Sequence, residues 1–273
     1  MNIPQIPALI ELKSAVFQSL SGVSKINYEF EDILVNDHNI IPHLIHTLIQ
    51  QASQPQFKKE TDSQEQQNNQ QQSESSSSIS LVNQSQFLER IISNNSNISK
   101  VIKTPNALHS LCTLTCYKIN IHFSQEIDKQ TFKVRHSNRH CLWDIQRYGD
   151  ASVQTELVNA RYARVLVIAI STASGAGEEQ DREICDGLDS ISKFFKLLRQ
   201  GRKIYLPSFP PQPLLARIFD EQIEEEGAIE EIESQMVNKG YRGDTKNNAS
   251  IAKGEILNYF IEQGNQRPYW YNW

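Results

Sequence analysis

Covalent cross-links are scarce in this chain. Four cysteines in 273 residues are too few for a disulfide scaffold, and a reducing compartment is the default expectation. A basic excess is also missing. The 27 Lys and Arg against 32 Asp and Glu leave a net charge of −5 and a pI of about 5.8, which argues against a protein dedicated to coating DNA or RNA. No apolar run reaches the roughly 18 residues that a membrane-spanning helix needs. No positive segment precedes the first apolar stretch, which Glu11 and Lys13 interrupt, so a secretory signal is not expected. No arginine occurs before Arg90, which disfavours a mitochondrial presequence. Together these absences lead to the expectation of a cytoplasmic protein without membrane insertion.

Apolar residues are themselves thin, at 38%, or about 42% with the 11 glycines added, against roughly 45–50% for a globular chain counted with glycine. The deficit is local. From Thr61 to Ser80, 15 of 20 residues are Gln, Asn or Ser. Such a run has too little apolar surface to offset its backbone entropy, so 53–84 is expected to be a disordered loop set into a folded chain. The remainder is rich enough in Leu, Ile, Val and Phe to bury a core.

Helical spacing dominates outside that stretch. Ile6, Leu9, Ile10, Leu12, Val16, Phe17 and Leu20 recur at intervals of three and four. Ile40, Ile41, Leu44, Ile45, Leu48 and Ile49 form a second stripe, with Pro42 near its start. Phe87, Leu88, Ile91 and Ile92 resume the pattern. Thr104-Pro105 reads as an N-cap followed by a first-turn proline, opening a face of Ala107, Leu108, Leu111, Cys112, Leu114 and Thr115. Residues 119–150 are mixed and basic, with no clear period. Val165–Ile170 suits a helix or a strand, since β-branched residues favour strands. Helices are expected over 179–200, 213–226, 228–238 and 245–262, with Gly201 ending the first of these.

The last of these segments run helix, Gly, short helix, loop, longer helix. Gly227, Ala228, Ile229 and Ile232, then Ala249, Ala252, Ile256 and Leu257, resemble the armadillo repeat. In that family a glycine turns the chain sharply after the first helix, and small residues let a third helix approach its neighbour. The resemblance is clearest at 213–262 and looser elsewhere: Asn39–Ile49 and Asp189–Leu198 resemble second helices, while Ala107–Leu114 and Ala160–Val167 resemble third helices. It implies an all-α fold, a degenerate armadillo-like α-solenoid of about three or four units. The expected layout is an N-terminal helical region 1–52, the low-complexity loop 53–84, an array over 85–262 and an aromatic tail 263–273. What the resemblance implies is an interaction surface without catalysis or cofactor.

Three local patterns admit chemistry. Cys112-x3-Cys116 and His136-x3-His140 offer ligand pairs at one-turn spacing for a tetrahedral zinc ion, although the gap between the pairs exceeds finger spacing. The segment 129–148 interleaves Lys129, Lys133, Arg135, Arg139 and Arg147 with Phe132, Trp143 and Tyr148, a pattern suited to an acidic protein partner or to single-stranded nucleic acid. Residues 165–206 could form a strand–loop–helix–strand unit that binds nucleotide at a helix N-terminus. However, Gly175-Ala-Gly177 lacks a Gly-Lys-Ser/Thr, and Glu178, Glu179 and Asp181 oppose a phosphate. The eight carboxylates of Asp220–Glu233 read as a solvated helix face. The closing Arg267-Pro-Tyr-Trp-Tyr-Asn-Trp273 is rich in the residues that anchor interfaces.

The residues therefore point to a non-catalytic scaffold or adaptor in a multi-subunit assembly, with cytoskeletal and ciliary assemblies as candidate settings. Its expected partner contacts are Lys133, Arg135, Arg139, Trp143, Arg267, Tyr269, Trp270, Tyr271 and Trp273. The alternatives are the nucleotide-binding α/β reading of 165–206 and nucleic-acid binding through 129–148.

Overall fold

The computed structural model describes residues 7–24, 27–52, 64–94, 97–119, 121–122, 124–171, 180–203, 207–238, 240 and 243–257. Among them are thirteen helices and no strand, apart from an isolated bridge between Arg202 and Phe209. The fold is all-α. The chain divides into two compact units, Met1–Arg147 and Tyr148–Trp273.

In the first unit the helices are α1 (Pro7–Ser24), α2 (Tyr28–Asn36), α3 (Ile40–Ala52), α4 (Gln64–Ser93), α5 (Ile98–Ile102), α6 (Ala107–Leu114) and α7 (Gln125–Tyr148). The Asn27 side chain caps α2 by accepting from Phe30 N at 3.1 Å. The α3 stripe is as its spacing requires, with Ile41, Leu44, Ile45 and Leu48 buried, and α3 packs against α2, α4, α5 and α6. Helix α1 lies along α4, where Phe17 meets Phe87 with ring centroids 6.4 Å apart. Leu12 and Val16, by contrast, face solvent. Arg90 of α4 ties the helices together. Its Nε lies 3.2 Å from Glu31 Oε2, and its Nη1 donates to Ser21 O at 2.9 Å.

Two expectations change here. The backbone of residues 64–93 is one helix, so the expected loop over 53–84 gives way to helix from Gln64 onward; residues 53–63 lie outside the described residues. Glutamine is a good helix former. The C-terminal half of α4 is anchored by a buried face that includes Ser78, Leu81, Val82, Ser85, Phe87 and Leu88. There Gln84 Nε2 donates to Ser80 Oγ at 2.9 Å. Thr104-Pro105 does not open α6. The helix starts at Ala107, preceded by Asn106 in the left-handed region.

The second unit holds α8 (Ala151–Asn159), α9 (Tyr162–Ile170), α10 (Asp181–Gln200), α11 (Pro213–Glu225), α12 (Ala228–Gln235) and α13 (Asp244–Leu257). Asp150 caps α8 by accepting from Val153 N at 3.1 Å, and this bond with that from Ser152 holds its carboxyl below the usual range. Pro213 stands at the start of α11, where a missing N–H costs nothing. Val165–Ile170 is helical, so the alternative strand–helix–strand reading of 165–206 lacks its first strand. Residues 204–206, and Gly175 and Gly177, lie outside the described residues. Helix α10 packs against α9, α11 and α13, and α9 against α8, α11 and α12. Their common core is aromatic: Phe194 meets Tyr162 at 5.5 Å and Phe219 at 4.6 Å, and Phe195 meets Phe219 at 4.8 Å.

One local order occurs four times, twice in each unit. A helix ends, a left-handed residue follows, a second helix starts at the next residue, and another helix comes later in the chain. The left-handed residues are Asn39 (φ 46°), Asn106 (60°), Arg161 (60°) and Gly227 (73°), immediately before α3, α6, α9 and α12. In the second unit three carboxamide side chains reach back to backbone carbonyls at nearly constant separation. Gln222 donates to Val158 O across 64 residues, Gln235 to Ile170 O across 65 and Asn248 to Cys185 O across 63. These bonds join α11 to α8, α12 to α9 and α13 to α10.

Candidate functional site

Among the described residues, helix α7 carries most of the candidate site side chains. Its first turn holds Glu126 and Asp128 and its last turn Arg147, an arrangement that matches the helix dipole. A half-buried row of rings runs along one face: Phe132, His136, His140 and Trp143. Successive ring centroids are 5.9, 4.2 and 4.9 Å apart, because residues three and four apart share a helix face. Asn138, fully buried, donates to Val134 O at 2.7 Å and to Ser85 Oγ of α4 at 3.0 Å. That bond brings the next turn of α4 up to the ring row. Glu89, one turn beyond Ser85, places its Oε1 3.6 Å from His140 Nδ1.

Among the described residues, Glu89, His136 and His140 are the one group of three or more metal-capable side chains in ligating range, their ligand atoms all within 4.8 Å of one another. Spacing alone offers, as an alternative, a zinc set of Cys112, Cys116, His136 and His140. The structure separates it: neither cysteine belongs to the group. Cys112 is buried on the apolar face of α6, and burial pushes its thiol up to about 12, so it stays a thiol at neutral pH. Glu89 has no signal in the sequence that links it to a histidine pair some fifty residues on; only the packing of α4 on α7 does so.

The basic segment is also rearranged. Arg135 and Arg139 are 4% and 0% exposed, so neither presents a charge to a partner. Arg135 Nη1 instead donates to Tyr117 O at 3.3 Å. Lys129, Lys133 and Arg147 remain exposed, and Trp143 is half-buried. Arg267, Tyr269, Trp270, Tyr271 and Trp273 lie outside the described residues. Among the eight carboxylates of 220–233, Glu225 pairs with Arg161 at 2.6 Å and Glu233 with Lys253 at 2.7 Å. Exposed pairs of this kind contribute little. No helix of the described residues is long and apolar enough to cross a membrane. No family model, no curated protein and no solved structure matches this chain.

A buried lysine and two buried cysteines make stability depend on pH with opposite signs. Burial lowers Lys118 to about 8. The unfolded chain keeps that lysine protonated to about pH 10.4, so between these values the unfolded state binds more protons and stability rises with pH. Burial raises Cys112, and Cys141 too. These thiols ionise first in the unfolded chain, so stability falls above about pH 9. The melting temperature should therefore climb from pH 7.5 to 8.5 and decline beyond 9. The variant Lys118→Met should lose the climb and keep the decline. An unaltered climb in that variant would refute the assignment to Lys118.

Proposed function

We propose that this chain is a non-catalytic scaffold or adaptor, built as a degenerate armadillo-like α-solenoid, that holds protein partners within a larger assembly. The observation that carries the reading is the near-constant reach-back of Gln222, Gln235 and Asn248 across 64, 65 and 63 residues. Each of three consecutive helices bonds to the helix three places earlier, as expected when one three-helix unit stacks on another of the same size. The left-handed residues before α3, α6, α9 and α12 support the same reading, since a sharp turn at that point is what an armadillo-like unit requires. An array of this kind offers partners a continuous surface whose shape comes from stacking. The Arg- and aromatic-rich segment 267–273 is the proposed anchor for a protein partner.

The test is affinity purification of the full chain from its native cell, with and without residues 267–273. The full chain should return a reproducible, stoichiometric set of proteins. The shortened chain should lose that set while keeping its melting temperature. Recovery of the full chain alone, as a monomer, would refute the adaptor reading. Retention of all partners by the shortened chain would refute the anchor.

A further inference from the structure

We propose that Glu89, His136 and His140 form a zinc site that clamps α4 to α7. Two imidazoles one helical turn apart lie on one face of α7, with ring centroids 4.2 Å apart. The carboxylate comes from a different helix, and its Oε1 stands 3.6 Å from His140 Nδ1. Ligand atoms of all three lie within 4.8 Å of one another. Tetrahedral zinc with bonds of about 2.0–2.2 Å holds its ligand atoms about 3.3–3.6 Å apart, so modest side-chain rotation closes the set. Two imidazoles and a carboxylate are borderline-hard donors, which favour zinc over calcium or magnesium. Three protein ligands leave a fourth position for water.

The surroundings fit a bound ion. The site is half-buried, with side-chain exposures of 32% for His140 and 28% for Glu89, which leaves a path for the ion to enter. Phe132 and Trp143 cover the two ends of the histidine pair. The Asn138–Ser85 hydrogen bond holds the two helix backbones in register one turn away, so the helices that carry the ligands are in place before any ion arrives. Zinc binds only when both helices are in place, and it therefore favours the folded state by mass action.

The experiment is zinc titration of the full chain after chelator treatment, followed by calorimetry and by thermal melting. One equivalent should bind, and added zinc should raise the melting temperature. His136→Gln and His140→Gln should each weaken binding at least tenfold, while Cys112→Ser and Cys116→Ser leave it unchanged. Cobalt loading supplies a second readout on the unaltered chain: visible d–d bands without a thiolate charge-transfer band in the near ultraviolet. If a histidine variant fails to fold, Glu89→Gln takes its place, with the same tenfold loss expected. Absence of stoichiometric zinc, binding that survives loss of both histidines, or a thiolate band would each overturn the site. None of these outcomes bears on whether the chain holds protein partners.

Discussion

Replacing Phe219 by Ala should cost about 3–5 kcal/mol of stability, the usual penalty for emptying a buried phenylalanine site. Phe219 is fully buried and sits where α10 and α11 meet. Phe194 approaches it edge-on at 4.6 Å and an interplanar angle of 90°, and Phe195 at 4.8 Å and 60°. Phe194 in turn abuts Tyr162 of α9. The ring thus closes a cluster drawn from three helices. Its removal deletes apolar contact and edge-to-face attraction together, and the neighbouring rings are too rigid to fill the gap. Total stability of a domain is about 5–15 kcal/mol, so the variant should be marginal. The control lies on the same helix: Leu214 is 79% exposed, and Leu214→Ala should stay within about 0.5 kcal/mol. Urea unfolding followed by far-ultraviolet circular dichroism measures both. A loss below about 1 kcal/mol for Phe219→Ala would contradict the packing described.

The contrast between those two leucine- and phenylalanine-bearing positions shows what periodicity resolves. The helix expected over 213–226 contains Leu214, Leu215, Ile218, Phe219 and Ile223 at helical spacing, and all five lie on α11. Which of them face inward depends on the neighbours: Leu215, Phe219 and Ile223 are buried, while Leu214 and Ile218 are exposed. Helix α7 defeated the same reasoning, because its buried face carries Gln130, Thr131, Arg135, Ser137, Asn138, Arg139 and Gln146 beside its few apolar residues. No hydrophobic period survives such a mixture, although the helix has 24 residues. In α9 the β-branched Val165, Val167, Ile168 and Ile170 left helix and strand open, and tertiary burial of nearly the whole segment decided for helix.

The candidate site was half legible. One-turn spacing revealed the His136–His140 pair, since helical residues four apart must share a face. Equal spacing also suggested Cys112 and Cys116, and there the inference failed. Cys112 points into the apolar contact of α6, and a buried thiol is a common core residue. Positive charge misled in the same way at Arg135. A long side chain can place its guanidinium on a buried carbonyl, here Tyr117 O, so a basic sequence segment need not be a basic surface. Glu89 came only from packing. The turn residue was better marked: Gly227, which the resemblance makes a point where the chain turns sharply, has positive φ, and Asn39, at the head of another matching segment, shares it.

Gly201→Ala should be strongly destabilising, and it should differ sharply from Gly227→Ala. Gly201 ends α10 with φ 68° and ψ −167°, a backbone region that is essentially glycine's alone and costs about 1–3 kcal/mol for other residues. A methyl group there would also stand 2.4 Å from Phe209 O, 2.7 Å from Pro210 C and 2.8 Å from Pro211 N. All three are backbone atoms, so no rotamer change relieves the overlap. They are also fixed in place. Arg202 and Phe209 exchange two backbone hydrogen bonds of 2.9 and 3.0 Å, and Gln212 N donates to Leu198 O at 2.7 Å. The Arg202 guanidinium lies over the Phe209 ring at 5.1 Å and donates to Gly149 O. Relief of the clash would therefore break this connection and release the start of α11. At Gly227 (φ 73°) a methyl group meets nothing closer than Glu230 Oε2 at 3.8 Å. That conformation is the ordinary left-handed one, which Asn39, Asn106 and Arg161 adopt before other helices, so only the left-handed strain of about 1–2 kcal/mol applies. Thermal and urea unfolding should rank Gly201→Ala well below Gly227→Ala. Equal losses would mean that the 202–209 connection gives way freely and does not hold α10 to α11.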